Sequence, residues 1–205
     1  MVGFYNYTVI ATYAGLLCSA VCGIGFVLKG ELFLGLVCLI LAGLFDTFDG
    51  RIARTRNSTK DEHSFGIQLD SLTDLVAFGV LPAAIGFVLN DMANWFLPIM
   101  VGYVLTALIR LAYYNVTEYN RQQQTTEARH FYEGLPVTAA ALIFPLLWCF
   151  KGALAASFGY VYAAVMAVTA ILFICPFKIG KPNLKVLFAL AAVGAAILVF
   201  LLLQK

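Results

Sequence analysis

The sequence has few charged residues. Of its 205 residues, 13 are Lys or Arg and 11 are Asp or Glu, so charged residues make up 12% of the chain, where about a quarter is typical of soluble domains. Hydrophobic residues make up 62%, and the mean hydropathy is +0.89. A soluble domain of this composition would lack the polar side chains that cover a surface. The chain is therefore predicted to reside in lipid. Its net charge of +2 is too small to indicate a nucleic-acid partner.

Patterns of cysteine and histidine that bind zinc or form disulfide frameworks are also missing. The five cysteines are an odd number, lie in apolar stretches and have no spacing typical of zinc ligands. We interpret them as buried thiols that pack like small hydrophobic side chains. No basic stretch precedes the first apolar run, so this run is interpreted as a retained membrane span and not as a signal peptide.

Seven apolar stretches approach or reach the length of about 20 residues that crosses a bilayer. The fifth is short and contains Pro136 and Pro145, which neighbouring helices can accommodate within a membrane. We therefore predict an all-α fold, a single polytopic membrane domain over residues 1–205 with seven transmembrane helices. The predicted spans are residues 8–28, 32–54, 66–90, 94–115, 134–150, 154–176 and 184–203.

The placement of the basic residues predicts the orientation of these spans. Ten of the 13 fall at the connections after the second, fourth and sixth spans, and three fall elsewhere. Since Lys and Arg are enriched in cytoplasmic loops, the N-terminus and these three connections are predicted to face the cytoplasm, with the protein in the cell membrane. Two of the connections, residues 55–65 and 116–133, are long and polar. The ten residues are Arg51, Arg54, Arg56, Lys60, Arg110, Arg121, Arg129, Lys178, Lys181 and Lys185.

Four aspartates lie at the predicted cytoplasmic ends of the second and third spans. Asp46 and Asp49 are three residues apart, and Asp70 and Asp74 are four apart, so each pair shares one helical face. Ionisable groups at membrane depth usually face a cavity or pair with another group. Converging carboxylates need cations to neutralise them, and oxygen ligands alone suit Mg²⁺ or Mn²⁺, with enough carboxylates for two ions. The alternative is a set of helix-end aspartates solvated at the interface.

The residues from Asp46 to Asp74 read Asp46-x-x-Asp49-Gly50-x-x-Ala53-Arg54, followed by Gly66-x-x-x-Asp70-x-x-x-Asp74. This pattern closely resembles the signature of the CDP-alcohol phosphatidyltransferase family. Eleven residues separate Arg54 from Gly66, where the family usually has eight, and we expect the extra three to lie in the loop between the two helices.

The resemblance implies a reaction in which a CDP-linked lipid gives its phosphatidyl group to an alcohol and CMP leaves. Asp74 would act both as a metal ligand and as the base that accepts the proton of the alcohol. The small residues Gly50 and Ala53 would let a bulky ligand approach the helix backbone. The other roles that the resemblance implies are metal ligation by Asp46, Asp49 and Asp70, and contacts to the CDP-lipid from Asp49, Gly50, Ala53 and Arg54, with Thr8 and Ser64 as weaker candidates.

Within the family, three stretches resemble the phosphatidylserine synthases. They are residues 69–80, the run Arg110-Leu111-Ala112 followed by Asn115, and Gly134-Leu135-Pro136; Tyr113 stands where those proteins commonly have Arg. Serine is therefore the favoured acceptor, ahead of inositol or inositol phosphate and of glycerol phosphate or another amino alcohol. Homodimer formation is a further implication of the resemblance.

Two residues are candidate ligands for the acceptor. Arg110 lies within an apolar run and is interpreted as binding an anionic group, either a phosphate or the acceptor's carboxylate, with a snorkelling interface residue as the alternative. Glu133 either binds the acceptor's ammonium group or is a solvated loop residue. The remote alternative function is a small cation-coupled transporter, which would place its carboxylates near mid-membrane and break its helices.

Overall fold

The structure of the chain is a computed structural model that describes residues 3–4, 9–53, 59–124, 131–180 and 184–203. Most of these residues are helical, and the predicted all-α class is confirmed at this level. Three helical stretches are long and apolar enough to cross a membrane: Lys60–Leu89, Asn94–Arg121 and Lys151–Ile174. Shorter apolar helices cover Thr12–Leu28, Leu32–Thr47, Val137–Trp148 and Ala189–Leu203.

The first part of the chain forms a helical hairpin. Helix α1 (Ile10–Leu16) continues as a π-helical segment (Leu17–Ile24) and then as helix α2 (Gly25–Leu28). Gly30 adopts a φ of +80°, which glycine reaches without steric cost, and turns the chain into helix α3 (Leu32–Ala53). Because α1 packs along α3, the beginning of the hairpin lies beside the end that contains Asp46.

The third predicted span begins earlier than the sequence pattern indicated. Helix α4 covers Lys60–Asp74, so residues 60–65, predicted as loop, are helical. The physical reason is a capping box: the Thr59 hydroxyl accepts a hydrogen bond from the Glu62 backbone N–H, and the Glu62 carboxylate accepts one from the Thr59 N–H. The helix continues as a second π-helical segment (Leu75–Val80) and as helix α5 (Leu81–Leu89).

The fourth predicted span is also longer than expected. A 3₁₀ turn (Asn94–Phe96) leads into helix α6 (Leu97–Gln124), so the first part of the polar connection predicted from residue 116 is helical. The chain remains helical because polar residues such as Gln favour a solvated helix. An ion pair of 2.6 Å between Arg121 and Glu118, three residues apart, adds support to the last turns.

A small sheet, which the sequence analysis did not anticipate, joins two connections. Strand β1 (Phe131–Glu133) pairs antiparallel with strand β2 (Lys178–Gly180), with Glu133 opposite Lys178. Gly134 follows β1 with a φ of +74°, and its backbone N–H donates to the Phe177 carbonyl at 2.8 Å. The sheet therefore ties the chain after α6 to the chain before the last helix.

The remaining helices complete the bundle. A 3₁₀ turn (Val137–Ala139) precedes helix α7 (Ala140–Trp148), helix α8 (Lys151–Leu154) leads through another 3₁₀ turn (Ala155–Ser157) into helix α9 (Phe158–Ile174), and helix α10 covers Leu184–Leu203. The buried aromatic core lies between α6, α7 and α9, with ring centroids 4.9–5.8 Å apart for Tyr103, Phe144, Tyr162 and Phe173. The continuous helix of residues 60–89 packs against this core on one side and against the first hairpin on the other.

Candidate active site

Three aspartates converge where the first hairpin meets helix α4. Asp46 lies in α3, and Asp70 and Asp74 lie in the last turns of α4. One carboxylate oxygen from each can be chosen so that all three lie within 4.8 Å of one another. Asp46 and Asp70 are partly exposed, whereas Asp74 is only 9% exposed. The four-residue spacing of Asp70 and Asp74 places both on the face that is turned to Asp46.

Helix α1 holds the two aspartate-bearing helices at this separation. It packs against both α3 and α4. A Cβ added at Gly15 would lie 3.6 Å from the Cβ of Phe45 and 3.9 Å from the Cγ2 of Thr73. Helix α1 therefore lies close to the residue before Asp46 and to the residue before Asp74.

A small, partly open cavity adjoins the carboxylates. Asp46, Asp74 and Thr73 are among its lining residues, together with Thr12, Gly15, Ala42, Ala77 and Phe78. Thr73 is only 7% exposed, and within the described part of the chain its hydroxyl has no hydrogen-bond partner. Since buried hydroxyl groups are normally hydrogen-bonded, this cavity offers an unused polar contact beside Asp74.

The other residues of the motif are described to different degrees. The backbones of Asp49, Gly50 and Ala53 lie in α3. The side chain of Asp49 is not among the parts that the structure describes. Thr8 and Arg54 lie outside the described residues. Their predicted contacts to the CDP-lipid, and metal ligation by Asp49, stay predictions.

Two positions on α4 face open space. Ser64 is exposed. A Cβ added at Gly66 would meet no atom within 4 Å, so packing does not require glycine there. Room is therefore available along this part of α4 for a ligand that the described residues do not fill.

Arg110 is buried and not extended into solvent. It is 6% exposed, its Nε donates to the Leu135 carbonyl at 3.3 Å, and its guanidinium carbon lies 5.7 Å from the centre of the Tyr114 ring. The contact with Leu135 links α6 to the segment that leads into α7. The burial of this charge is unlike that of a snorkelling arginine, which keeps its charged group in water.

Two further polar contacts surround this region. The Tyr113 hydroxyl donates to the Glu133 carboxylate at 2.7 Å. Ser71 and Asn115 form a reciprocal pair, in which the Ser71 hydroxyl donates to the Asn115 amide oxygen at 3.1 Å and the Asn115 amide nitrogen donates back at 2.9 Å. The Ser71–Asn115 pair, which sequence reasoning missed, fastens α6 to α4 next to Asp70. The only sequence signal was that both residues lie in the stretches that resemble phosphatidylserine synthases.

The donor set of the three aspartates fits a hard divalent cation. All three ligand atoms are carboxylate oxygens, which Mg²⁺ and Mn²⁺ prefer over the nitrogen and sulfur ligands typical of zinc. A cation would also neutralise the repulsion between carboxylates this close together.

A sequence model of the family described as CDP-alcohol phosphatidyltransferase matches residues 6–175. The match includes the three converging aspartates, Arg110 and Glu133. The chain belongs to the CDP-alcohol phosphatidyltransferase family. This membership confirms the family that the aspartate signature indicated.

Curated relatives of this family member include enzymes named for serine as acceptor. The chain is 40% identical over 116 residues to the CDP-diacylglycerol–serine O-phosphatidyltransferase of Saccharomyces cerevisiae. This match covers 55% of the chain and 41% of the relative. It is 31% identical over 149 residues to the archaetidylserine synthase of Methanothermobacter thermautotrophicus, and this match covers 70% of the chain and 59% of the relative. It is 34% identical over 108 residues to the Helicobacter pylori protein named CDP-diacylglycerol–serine O-phosphatidyltransferase, and this match covers 51% of the chain and 42% of the relative. These matches span about two fifths to three fifths of the relatives' length.

Proposed function

We propose that this chain is a membrane-embedded CDP-diacylglycerol–serine O-phosphatidyltransferase. In the proposed reaction, the serine hydroxyl oxygen attacks the phosphorus of the phosphatidyl group, the bond from that phosphorus to the CMP oxygen breaks, and phosphatidylserine and CMP result. The observation that carries the proposal is the convergence of Asp46, Asp70 and Asp74 within 4.8 Å in a chain of this family. The names of the similar proteins support serine as the acceptor.

In this proposal the carboxylates of Asp46, Asp49, Asp70 and Asp74 hold Mg²⁺ or Mn²⁺, with two ions in the site. When bound, such ions neutralise the negative charge that develops on the phosphate groups during displacement. The chain's own contribution is to keep the ligands close before the substrate arrives. Helix α1 does this by packing against both α3 and α4.

Asp74 is the proposed general base. A serine hydroxyl is a poor nucleophile while protonated, so a carboxylate within hydrogen-bond reach must accept its proton as the new bond to phosphorus forms. Asp74 lines the same cavity as Thr73, whose hydroxyl has no hydrogen-bond partner among the described residues. Asp74 is only 9% exposed, so its carboxylate lies largely out of contact with bulk water.

The CDP-lipid is proposed to lie along the end of α3 and the first half of α4. Gly50 and Ala53 allow the nucleotide to approach the helix backbone, and the open space at Gly66 supports a ligand on this side of α4. The remaining proposed contacts are Asp49, Arg54, Thr8 and Ser64.

Serine is proposed to bind through its two charged groups. Arg110 pairs with the carboxylate, and Glu133 pairs with the ammonium group. The burial of Arg110 supports this role, because a buried guanidinium needs anionic or carbonyl partners for its N–H groups. The Tyr113 contact supports the role of Glu133 by fixing its carboxylate next to α6.

We further propose that residues 1–205 form one domain with seven spans, a cytoplasmic N-terminus and a site that faces the cytoplasm of the cell membrane. The long apolar helices and the shorter ones support this arrangement, and the ten basic residues at three connections support the orientation. Two such chains are proposed to form a homodimer, which cross-linking in intact membranes would detect.

The test is CMP release by the purified full chain in lipid nanodiscs that contain CDP-diacylglycerol. Serine, inositol, inositol phosphate and glycerol phosphate are supplied separately, each with Mg²⁺, with Mn²⁺ and with a chelator. We expect CMP release with serine and a divalent ion, and none with the chelator. Release with another acceptor but not with serine would make the acceptor assignment wrong, and no release under any condition would make the whole proposal wrong.

A further inference from the structure

The helix that contains Asp70 and Asp74 changes its winding immediately after Asp74. Residues 60–74 are α-helical, and Leu75–Val80 form a π-helical segment. At its end the Leu81 backbone N–H donates to the Val76 carbonyl, five residues earlier. π-Helical turns are rare and are frequent at functional sites. This segment determines how the Asp74 turn connects to the membrane-embedded remainder of the helix.

A proline lies just beyond this segment. Pro82 has no backbone N–H, so it cannot donate to the carbonyl of Phe78, four residues earlier. A side chain from another helix donates to that carbonyl instead: the hydroxyl of Tyr103, in α6, lies 2.7 Å from the Phe78 oxygen. Tyr103 is fully buried, so this hydrogen bond is shielded from water and its loss would leave polar groups unpaired.

The contact between α6 and the π-helical segment is close. A Cβ added at Gly79 would lie 3.5 Å from the Cβ of Ala107, one turn after Tyr103 on α6. The ring of Tyr103 packs against Phe144 and Phe173, with centroids 5.8 and 5.4 Å away. The hydroxyl is therefore held in place by the aromatic core, and Phe78 lines the same cavity as Asp74.

A second tyrosine makes a matching bond farther along the same helix. The hydroxyl of Tyr162, in α9, donates to the Pro82 carbonyl at 2.9 Å, and Tyr162 is also fully buried. The two bonds have the same chemistry. They differ in position, because Phe78 lies four residues after Asp74 and Pro82 lies eight residues after it.

The geometry points to Tyr103 as a positioning residue of the active site. Its hydroxyl fixes the Phe78 carbonyl and with it the π-helical segment, which sets the direction of the Asp74 carboxylate toward Asp46 and Asp70. Tyr103 touches neither substrate nor metal in this role and acts through Asp74. The inference rests on the proposed function of Asp74 as a metal ligand and base.

The test compares Tyr103→Phe with Tyr162→Phe in the full chain in nanodiscs. Each substitution removes one buried hydroxyl and keeps the ring. We expect a similar fall in melting temperature for both variants. Only Tyr103→Phe is expected to weaken Mn²⁺ binding, measured by electron paramagnetic resonance titration, by about tenfold, and to lower kcat for CMP release by a similar factor with the KM for serine unchanged. Tyr162→Phe should stay within about twofold of wild type in both measurements.

A double variant tests the route through which Tyr103 acts. Pro82→Ala introduces a backbone N–H four residues after Phe78, so Pro82→Ala/Tyr103→Phe should recover at least half of the lost Mn²⁺ affinity. It also serves as the second variant if Tyr103→Phe alone does not fold. Equal Mn²⁺ affinities of the two single variants, or no recovery in the double variant, would overturn the inference. A wild type that binds no Mn²⁺ and releases no CMP would instead overturn the proposed function.

Discussion

The hydroxyl of Tyr113 donates a hydrogen bond of 2.7 Å to the carboxylate of Glu133. The bond joins helix α6 to strand β1, and it lies three residues along α6 from the buried Arg110. The two candidate ligands for the charged ends of serine are therefore connected through one helix. The hydroxyl of Tyr113 therefore holds the acidic side chain of Glu133 next to α6.

Tyr113→Phe is expected to raise the KM for serine about fivefold, because a hydrogen bond that orients Glu133 contributes about 1 kcal/mol. The KM for CDP-diacylglycerol should not change. Initial rates of CMP release at varied serine measure the effect. Tyr119→Phe, at an exposed tyrosine on the same helix, is the control, and an equal effect of both substitutions would show that Glu133 is not oriented by Tyr113.

Arg110→Ala is expected to raise the KM for serine about a hundredfold, since a buried carboxylate left without its partner costs roughly 3 kcal/mol. The KM for CDP-diacylglycerol should change much less. Arg121→Ala, which breaks the pair with Glu118 at the end of the same helix, is the matched control and should leave both constants nearly unchanged. If Arg110→Ala leaves serine kinetics at the wild-type level, another cation must bind the carboxylate.

Asp70→Asn should abolish the stabilisation that a divalent ion gives to the folded protein. A ligand present at about 100 times its Kd stabilises the native state by about 2.7 kcal/mol, so Mn²⁺ should raise the melting temperature of wild type but not of the variant. Without metal, the variant should be at least as stable as wild type, because one of three close negative charges is removed. The control is Asp61→Asn, at an exposed acid in the first turn of α4. A variant that still gains stability from Mn²⁺ would contradict the metal assignment.

Thr73→Val removes the buried hydroxyl beside Asp74 and keeps the shape of the side chain. If the hydroxyl binds a group that enters the cavity during turnover, CMP release should fall about tenfold, the equivalent of one lost hydrogen bond of about 1.4 kcal/mol. Thr73→Ser should restore activity. Melting curves and rates distinguish the alternative, in which the hydroxyl has no ligand: Thr73→Val would then raise stability and leave the rate unchanged.

The proposed orientation can be tested by cysteine labelling in a variant that lacks the five native cysteines. A cysteine at Asn57 should react with a membrane-impermeant reagent only from the cytoplasmic side, and one at Gly152 only from the outside. Inverted and right-side-out vesicles give the two exposures. Labelling of both positions from the same side would rule out the seven-span arrangement.

The convergence of the aspartates could be predicted because the information is local. A three-residue or four-residue spacing places carboxylates on one helical face, and two successive helices bring Asp46 near Asp70 and Asp74. The helix starts were harder to predict. The polar run from Lys60 to Phe65 resembles a loop by composition, yet the Thr59 capping box makes it helical.

Contacts between distant parts of the chain were beyond the sequence pattern. Strands β1 and β2 have three residues each and lie more than 40 residues apart, so neither shows the alternation by which longer strands are recognised. The bond from Tyr103 to the Phe78 carbonyl depends on the packing of α6. Pro82 indicated only that a carbonyl would lose its usual donor.

The two-stranded sheet constrains how family members could exchange their acceptor preferences. The converging aspartates lie between Asp46 and Asp74, whereas the candidate acceptor ligands lie on α6 and β1, and β1 is paired with a strand from a third part of the chain. A chimaera that receives residues 110–133 from a relative would pair its new β1 with the β2 of the host chain. Because Glu133 lies opposite Lys178, we expect such an exchange to work best when residues 178–180 are transplanted with it.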